Sequence, residues 1–218
     1  MFTKTASFIV RAGILAIVAC AAHAGEGRPN TIPTGQPATA DCDDTYVADC
    51  GFETGASHTP GWTSTSTNFG TVFCSANDCG TAGGPMVPHS GTWFGWFGGT
   101  SLAEAGTASQ VVTLPSGQPM TLSFWYTNGS ASCVAGPDTA YIEARIDGTT
   151  LWRTDAAAAD YCRGTYAQIT VDIPAPLLGG THTLEFHHEQ QAMSRPVNFG
   201  IDDVSISIRN DIFHDGFD

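Results

Sequence analysis

Hydrophobic and polar residues alternate along much of the chain beyond residue 90. From Met120 to Tyr126 every second residue is large and apolar, and the residues between them are Thr, Ser and Trp. A period of two places successive side chains on opposite faces of an extended strand, so such a run predicts a half-buried β-strand. The pattern recurs at 140–146, 167–173, 183–187 and 204–208.

Turn-forming residues separate these runs. Pro115-Ser116-Gly117, Asn128-Gly129 and Gly179-Gly180 interrupt the alternation, and Asp147-Gly148 stands where a tight β-hairpin turn is expected. The one helix-prone stretch, residues 155–160, is too short to form a stable helix by itself. We therefore predict an all-β fold, an antiparallel two-sheet jelly-roll sandwich of about ten strands.

The run from Thr92 to Phe97 is apolar on both faces. Trp93 and Phe97 share one face of the predicted strand, and Phe94 and Trp96 share the other. Such a strand is either buried on both sides or offers one side to a ligand, and we favour burial.

The N-terminal residues are typical of a secretory signal. Lys4 and Arg11 precede a short apolar run, and Ala22-His23-Ala24 fits a cleavage site. We predict a signal peptide at 1–24, a flexible linker at 25–40, the jelly-roll domain at 41–209 and a short C-terminal tail at 210–218. The tail resembles endings found on exported bacterial proteins, so we expect a secreted or cell-surface bacterial protein, with the periplasm as an alternative.

The charge of the chain narrows its partners. The formal net charge is −13, and it becomes −15 if Lys4 and Arg11 leave with the signal peptide. Nucleic acids and anionic lipids attract clustered Lys and Arg, so we expect no nucleic-acid partner. The apolar run of the signal peptide is far shorter than the ~20 residues that a membrane span needs, so we also expect no membrane span. An excess of carboxylates suits divalent cations, although solubility alone could account for it.

Six cysteines follow the signal peptide. An even number in an exported chain indicates disulfide bonds. Proximity along the sequence favours Cys42–Cys50, Cys74–Cys79 and Cys133–Cys162. A zinc site is the competing interpretation, but no second Cys or His pair has zinc-finger spacing.

Four motifs occur in a suggestive order. They are Gly51-Phe52-Glu53, the segment 89–93 (HSGTW), the segment 122–126 (LSFWY) and the segment 201–206 (IDDVSI). Together they resemble galactose-binding-like β-sandwich jelly rolls, a group that includes bacterial carbohydrate-binding modules and MAM-like domains. The resemblance spans about 48–208 and implies an exported, non-catalytic binding module.

The resemblance also implies a structural calcium ion held by Glu53 together with Asp202 or Asp203. Strand parity gives a separate view, because Asp202 shares the face of Val204 and would point inward. An inward carboxylate without a partner is costly, and a hard cation would offset that cost. Asp203 would face the other way unless the strand is bulged. The alternative is that these acids accept backbone hydrogen bonds.

No catalytic constellation is evident, and we predict no catalytic residue. His188-Glu189 begins like a zinc-protease motif but Ala192 replaces the second histidine, and no serine-hydrolase elbow is present. Glu143 and Glu185 are the best carboxylate pair for a glycoside hydrolase, which stays a weaker alternative.

Binding is the better hypothesis. Aromatic and polar residues on outward faces could stack on sugar rings and bind hydroxyl groups if their strands adjoin. The candidates are Trp125, Tyr141, Glu143, Arg145, Tyr166, Gln168 and His187. We expect a polysaccharide or glycoconjugate ligand, with a protein-binding adhesion or structural module as the alternative. A second alternative is that Trp125 is covered by a loop or by the tail.

Overall fold

The computed structural model describes residues 42, 45–54, 61–75, 86–129, 140–192 and 196–209. The predicted signal peptide, linker and C-terminal tail lie outside these ranges. No helix in the described part of the chain is long and apolar enough to cross a membrane.

Ten β-strands and one short 3₁₀ helix, Ala175–Leu177, make up the described ranges. The strands are β1 (Trp62–Ser66), β2 (Phe73–Ser75), β3 (Trp93–Gly98), β4 (Glu104–Leu114), β5 (Met120–Asn128), β6 (Tyr141–Ile146), β7 (Thr149–Asp155), β8 (Ala167–Ile173), β9 (Gly180–Gln190) and β10 (Asn198–Ile208).

The strands form two five-stranded antiparallel sheets. Sheet A has the order β1-β4-β9-β6-β7, and sheet B has the order β2-β3-β10-β5-β8. The predicted two-sheet sandwich is confirmed. The inward residues of the two sheets form one apolar core, in which the ring of Phe124 lies 5.0 Å from Phe186 and 5.2 Å from Trp152.

The hairpin predicted at Asp147-Gly148 joins β6 to β7. Ile146 pairs with Thr149, and the two turn residues have φ values of +47° and +77°. Positive φ at both central positions is what a type I′ hairpin turn requires, and Asp followed by Gly accommodates it.

The N-terminal part of the domain lies beside the last strand, as the resemblance implies by pairing Glu53 with Asp202 or Asp203. Tyr46 N donates to Ile206 O at 2.9 Å, and Val204 N donates to Cys50 O at 2.8 Å. The predicted Cys42–Cys50 disulfide is present. Cys74 and Cys162 are also disulfide-bonded. Their predicted partners, Cys79 and Cys133, lie outside the described residues, so those two pairings stay predictions.

The segment around Glu53 is a turn and not the first strand that the resemblance implied. Asp49 and Phe52 both have positive φ. The Asp49 carboxylate accepts from Thr54 N at 3.2 Å and from Thr54 Oγ1 at 2.7 Å. An aspartate side chain that binds the chain a few residues further on favours a turn over a strand.

A β-bulge in β10 overturns the predicted inward orientation of Asp202. Trp125 pairs with Asp202 and Ser123 with Ser205, so two residues of β10 oppose one of β5. Asp203 supplies the extra residue, with φ of +47°.

The extra residue reverses the inward and outward alternation of side chains along β10. Ile201 and Val204 both point into the core, whereas Asp202 lies on the outer face of sheet B beside Trp125.

The chain segment 86–92, which we call the cover, lies over the part of that outer face formed by β3, β10 and Trp125 of β5. Met86 packs with Cys74, Phe94 and Trp96 in a small second core in which each of them is at most 2% exposed. The prediction that β3 is buried on both faces is confirmed.

Gly200 gives Met86 room to pack against the sheet. A Cβ atom at residue 200 would lie 2.8 Å from Met86 Cε and 2.8 Å from Tyr166 Oη. We predict that Gly200→Ala lowers the free energy of unfolding by about 1–3 kcal/mol, the usual cost of overpacking. Denaturant unfolding measures it. Gly164→Ala, with nothing within 4 Å of its added Cβ, is the control and should be close to neutral. Equal stability of both variants would show that the cover is not tightly packed.

Candidate functional site

The fold divides the seven candidate ligand-binding residues between two opposite faces. Trp125 lies on β5 and Gln168 on β8, and Tyr166 directly precedes β8 in sheet B. The others, Tyr141, Glu143, Arg145 and His187, lie on β6 and β9 of sheet A. The predicted single face is therefore wrong, because β5 and β8 adjoin each other but neither pairs with β6 or β9.

The cover overlies the sheet B group. The imidazole of His89 stacks on the indole of Trp125, with ring centroids 3.8 Å apart and an angle of 14° between the planes. Tyr166 donates its hydroxyl proton to Val87 O at 2.9 Å. Trp125 is thus a contact surface for the protein's own chain, as the alternative from the sequence held. Only Gln168 of this group is exposed.

Asp202 and Asp203 hold the cover in place. Asp202 Oδ2 accepts from His89 N at 2.7 Å and from Ser90 N at 3.1 Å. Asp203 accepts from His89 Nδ1 at 2.5 Å and from Ser90 Oγ at 2.6 Å. Hydrogen bonds to charged groups are typically worth about 1.5–3 kcal/mol each. His89 and Ser90 both bind Asp203 and do not form a nucleophile–base pair.

Glu53 binds the C-terminal end of the cover. Its Oε1 accepts from Thr92 N at 2.8 Å and from Trp93 N at 2.9 Å. Gly91 makes this close approach possible, since its φ is +57° and an added Cβ would lie 2.2 Å from Glu53 Oε1. Burial raises the pKa of the Glu53 carboxyl, and its two backbone hydrogen bonds lower it by less. Burial, and next the charge of Asp203, hold the pKa of Asp202 well above its usual range.

The donor chemistry of this carboxylate cluster suits calcium, because Glu53, Asp202 and Asp203 offer only hard oxygen ligands. The arrangement shows something different. Their oxygens accept hydrogen bonds from residues 89–93, and no group of three or more His, Cys, Asp and Glu side chains in the described ranges converges as a metal site. The structure thus contains the backbone hydrogen bonds that the sequence offered as the alternative to calcium, and calcium binding stays a prediction.

The outer face of sheet A carries a charged and aromatic cluster, which we call the Tyr141 cluster. Its members are Tyr141, Glu143, Arg145, Arg153, Glu185, His187 and Glu189. Arg145 Nη1 donates to Glu143 Oε1 at 3.1 Å, and Arg145 Nε donates to Glu185 Oε1 at 2.5 Å. The guanidinium carbon of Arg153 lies 3.6 Å above the Tyr141 ring centroid.

Glu143 anchors both arginines from below. It is only 7% exposed, and besides Arg145 it pairs with Arg153 at 3.6 Å and accepts from Thr150 Oγ1 at 3.1 Å. The two arginines and the Thr150 hydroxyl compensate the charge of Glu143, which is how a buried carboxylate is tolerated there. Glu143 therefore positions the arginines, and the surface itself is formed by Tyr141, Arg145 and Arg153.

Sequence reasoning missed Arg153. A two-residue turn at Asp147-Gly148 with regular pairing would place Trp152 opposite Glu143. A register shift between Ala144 and Arg145 moves Trp152 opposite Ala144, in the core, and brings Arg153 opposite Glu143. The alternation of residues does not signal this shift. The one partial signal is Trp152, a large apolar residue that regular pairing would place opposite the outward Glu143.

Glu143 and Glu185 do not form a glycosidase pair in this arrangement. Both carboxylates bind the same guanidinium, that of Arg145. A glycoside hydrolase needs two carboxyl groups on either side of a scissile bond. Here the space between them is filled by a side chain of the protein.

His188 supports Tyr141 from the core side of the sheet. It is fully buried, and its Nδ1 donates to Tyr141 O at 2.8 Å. Burial lowers the pKa of His188 to about 4. Its place on β9 also excludes the helical zinc-protease motif that His188-Glu189 resembles.

No protein-family model matches this chain, and no curated protein matches it either. Solved structures do match. The carbohydrate-binding module TmCBM61, solved with β-1,4-galactotriose, is 19% identical with a TM-score of 0.44, and the match covers 76% of this chain and 99% of that chain. The K3 adhesin domain of Lys-gingipain from Porphyromonas gingivalis W83 is 16% identical with a TM-score of 0.43, covering 72% and 95%. A Stig cyclase from Fischerella sp. TAU is 15% identical with a TM-score of 0.46, covering 75% and 96%.

The resemblance to β-sandwich carbohydrate-binding modules that the motifs predict is thus also found among solved structures. A glycan-binding module, an adhesin domain and a cyclase share this likeness. Their identities and TM-scores are too low to carry any of these functions to this chain.

The lowered pKa of His188 makes stability depend on pH. Between the ordinary value of 6.5 and about 4, the unfolded chain binds a proton that the folded chain excludes. The contribution of neutral His188 is therefore complete above pH 6.5 and is lost as the pH falls toward 4, by up to about 3 kcal/mol. We predict that His188→Gln flattens this part of the stability profile in urea unfolding at several pH values. His187→Gln, on the outer face, is the control, and an unchanged slope in His188→Gln would contradict the assignment.

Proposed function

We propose that this protein is an exported, non-catalytic binding module that recognises a polysaccharide or glycoconjugate through the outer face of sheet A. The observation that carries the proposal is the difference between the two outer faces. The cover overlies Trp125 and the neighbouring parts of β3 and β10 on sheet B, whereas the Tyr141 cluster on sheet A presents exposed and half-buried polar and aromatic groups that are held by ion pairs.

The chemistry of the cluster supports sugar recognition. A guanidinium stacked on a tyrosine ring forms a flat, weakly hydrated surface, as Arg153 and Tyr141 do, and the C–H face of a sugar packs well on such a surface. Glu185 and Glu189 lie beside it as acceptors for hydroxyl groups. The ion pairs with Glu143 fix the arginines before a ligand arrives, which reduces the entropy lost on binding.

The alternative functions have less support. A protein-binding adhesion module would be favoured by a contiguous apolar patch. The large apolar side chains that are exposed in the described ranges are Tyr46, Leu102, Val111 and Ile208. Val111 lies on β4 of sheet A and Ile208 on β10 of sheet B, so the four do not form one patch. A glycosidase would be favoured by two acids converging in a cleft, and Arg145 occupies the space between the best pair.

The role of Tyr141 can be tested by binding. We predict that Tyr141→Ala weakens glycan binding at least about fivefold, because stacking on one aromatic ring is typically worth about 1–3 kcal/mol. A glycan array identifies the ligand, and isothermal titration calorimetry measures the affinity. Gln168→Ala, an exposed change on sheet B, is the matched control and should bind as the wild type does. Loss of binding in the control alone would move the site to sheet B.

We also propose that calcium stabilises the carboxylate cluster of Glu53, Asp202 and Asp203. The support is the concentration of negative charge there, which burial alone makes unfavourable and which a divalent cation would neutralise. Calcium would add to the hydrogen bonds that join these residues to the cover.

Thermal unfolding with and without a chelator tests this proposal. We predict that saturating calcium raises the melting temperature, since a ligand at about 100 times its Kd adds about 2.7 kcal/mol to the stability of the state that binds it. Glu53→Gln should remove the response, and Asp172→Asn, an exposed acid elsewhere, should retain it. A melting temperature that does not respond after verified removal of metal would refute calcium binding.

A further inference from the structure

The outward residues of sheet A line up in rows that cross all five strands. Residues paired across neighbouring strands point to the same side of a sheet, so the pairing register defines each row. One row runs Thr63, Ser109, Glu185, Arg145 and Thr150. The next row runs Thr65, Thr107, His187, Glu143 and Arg153. With strands about 4.8 Å apart, a row extends about 19 Å, so the Tyr141 cluster occupies only one half of a longer surface.

The other half of this surface, on β1, β4 and the start of β9, is rich in hydroxyl groups. A shallow depression of about 310 Å³ lies there. Its lining residues are Gly61, Thr63, Ser109, Gln110, Val111 and Thr183. None of these side chains carries a charge.

Val111 is the most unusual residue of this half. It is 67% exposed, the highest value among the large apolar side chains of the described ranges. Its neighbours Ser109 and Thr183 carry hydroxyls, whereas the amide of Gln110 is already engaged with the backbone of Ala48 through bonds of 2.7 and 2.8 Å. Val111 offers one apolar contact, and the hydroxyl groups around it offer several hydrogen bonds. This composition suits a site for a neutral polar ligand.

The charges on the surface select against anionic ligands. Arg145 and Arg153 are each paired with carboxylates, through Glu143, Glu185 and Asp155. Glu189 adds a further negative charge, and the whole chain has a net charge of −13. Among the described residues of this face, no cation without a carboxylate partner is left to offset the repulsion that a uronate or sulfate group would meet.

We propose that the depression around Val111 is a second contact site on the same face, and that the ligand is an extended, uncharged polysaccharide chain lying across the strands from the Tyr141 cluster to Val111. This inference rests on the proposed function, since it assigns a ligand class and a second contact to the same sheet. A chain bound in this way contacts both halves at once, so its affinity rises with its length.

The experiment compares the purified full-length mature protein with the Tyr141→Ala variant described above and with two further variants. Val111→Asp places a charge in the depression, and Thr170→Asp places one at an exposed position on the outer face of sheet B. The probes are the neutral polysaccharides galactan, mannan and arabinoxylan and the anionic polysaccharides polygalacturonate and alginate, in affinity electrophoresis. Oligosaccharides of two to six residues from any polysaccharide that binds follow in calorimetry.

We expect the wild type to retain neutral polysaccharides only, and its affinity to rise at least tenfold from the shortest to the longest oligosaccharide. Val111→Asp should abolish this rise without weakening the shortest ligands, and Thr170→Asp should behave as the wild type. Binding that depends on Tyr141 but is unaffected by Val111→Asp, or that prefers polygalacturonate or alginate, would overturn this inference and leave the proposed function standing. No binding to any of these polysaccharides would overturn this inference, and no binding on the glycan array as well would overturn the proposed function.

Discussion

The β-bulge in β10 is the constraint on which the arrangement of the domain depends. The extra residue, Asp203, lets Ile201 and Val204 both enter the core while the side chains of Asp202 and Asp203 turn outward. Without it, Asp202 would occupy a core position, where an unpaired carboxylate is costly. The bulge thus separates the part of β10 that pairs with β3 from the part that contacts residues 45–50.

The outward carboxylates determine which face of the sandwich is covered. β3 carries Phe94 and Trp96 on its outer side, and these apolar residues need a covering layer. Asp202 and Asp203 bind His89 and Ser90, and Glu53 binds Thr92 N, so these carboxylates hold the cover in its middle and at its C-terminal end. The hydrogen bonds of these three carboxylates therefore hold the cover over the apolar side chains of β3 on sheet B. The outer face of sheet A has no such cover among the described residues, and its polar groups are ordered by ion pairs.

Six strands, β3, β5, β6, β8, β9 and β10, were predictable because their apolar patterns are local, whereas the sequence analysis placed no run at β1, β2 or β4. The strand predicted at 167–173 coincides with β8, and the Asp147-Gly148 hairpin has the expected turn. The candidate site was predictable only in part. Tyr141, Arg145 and His187 do share a face, but the inference that Trp125 joins them fails. Parity assigns each residue to the inner or outer side of its own strand and says nothing about which strands are neighbours.

The sequence by itself determined the alternating strands, the turns between them and the burial of both faces of β3. These features follow from residue types and their spacing over a few positions. Only the tertiary structure decided the outward turn of Asp202, the covering of Trp125 by His89 and the pairing of Arg153 with Glu143. The turn of Asp202 and the pairing of Arg153 each depend on a one-residue shift in register, which reverses the side of every residue beyond it and is chosen by packing across the sandwich. The covering of Trp125 depends on where the segment 86–92 crosses the sheet, which no local pattern specifies.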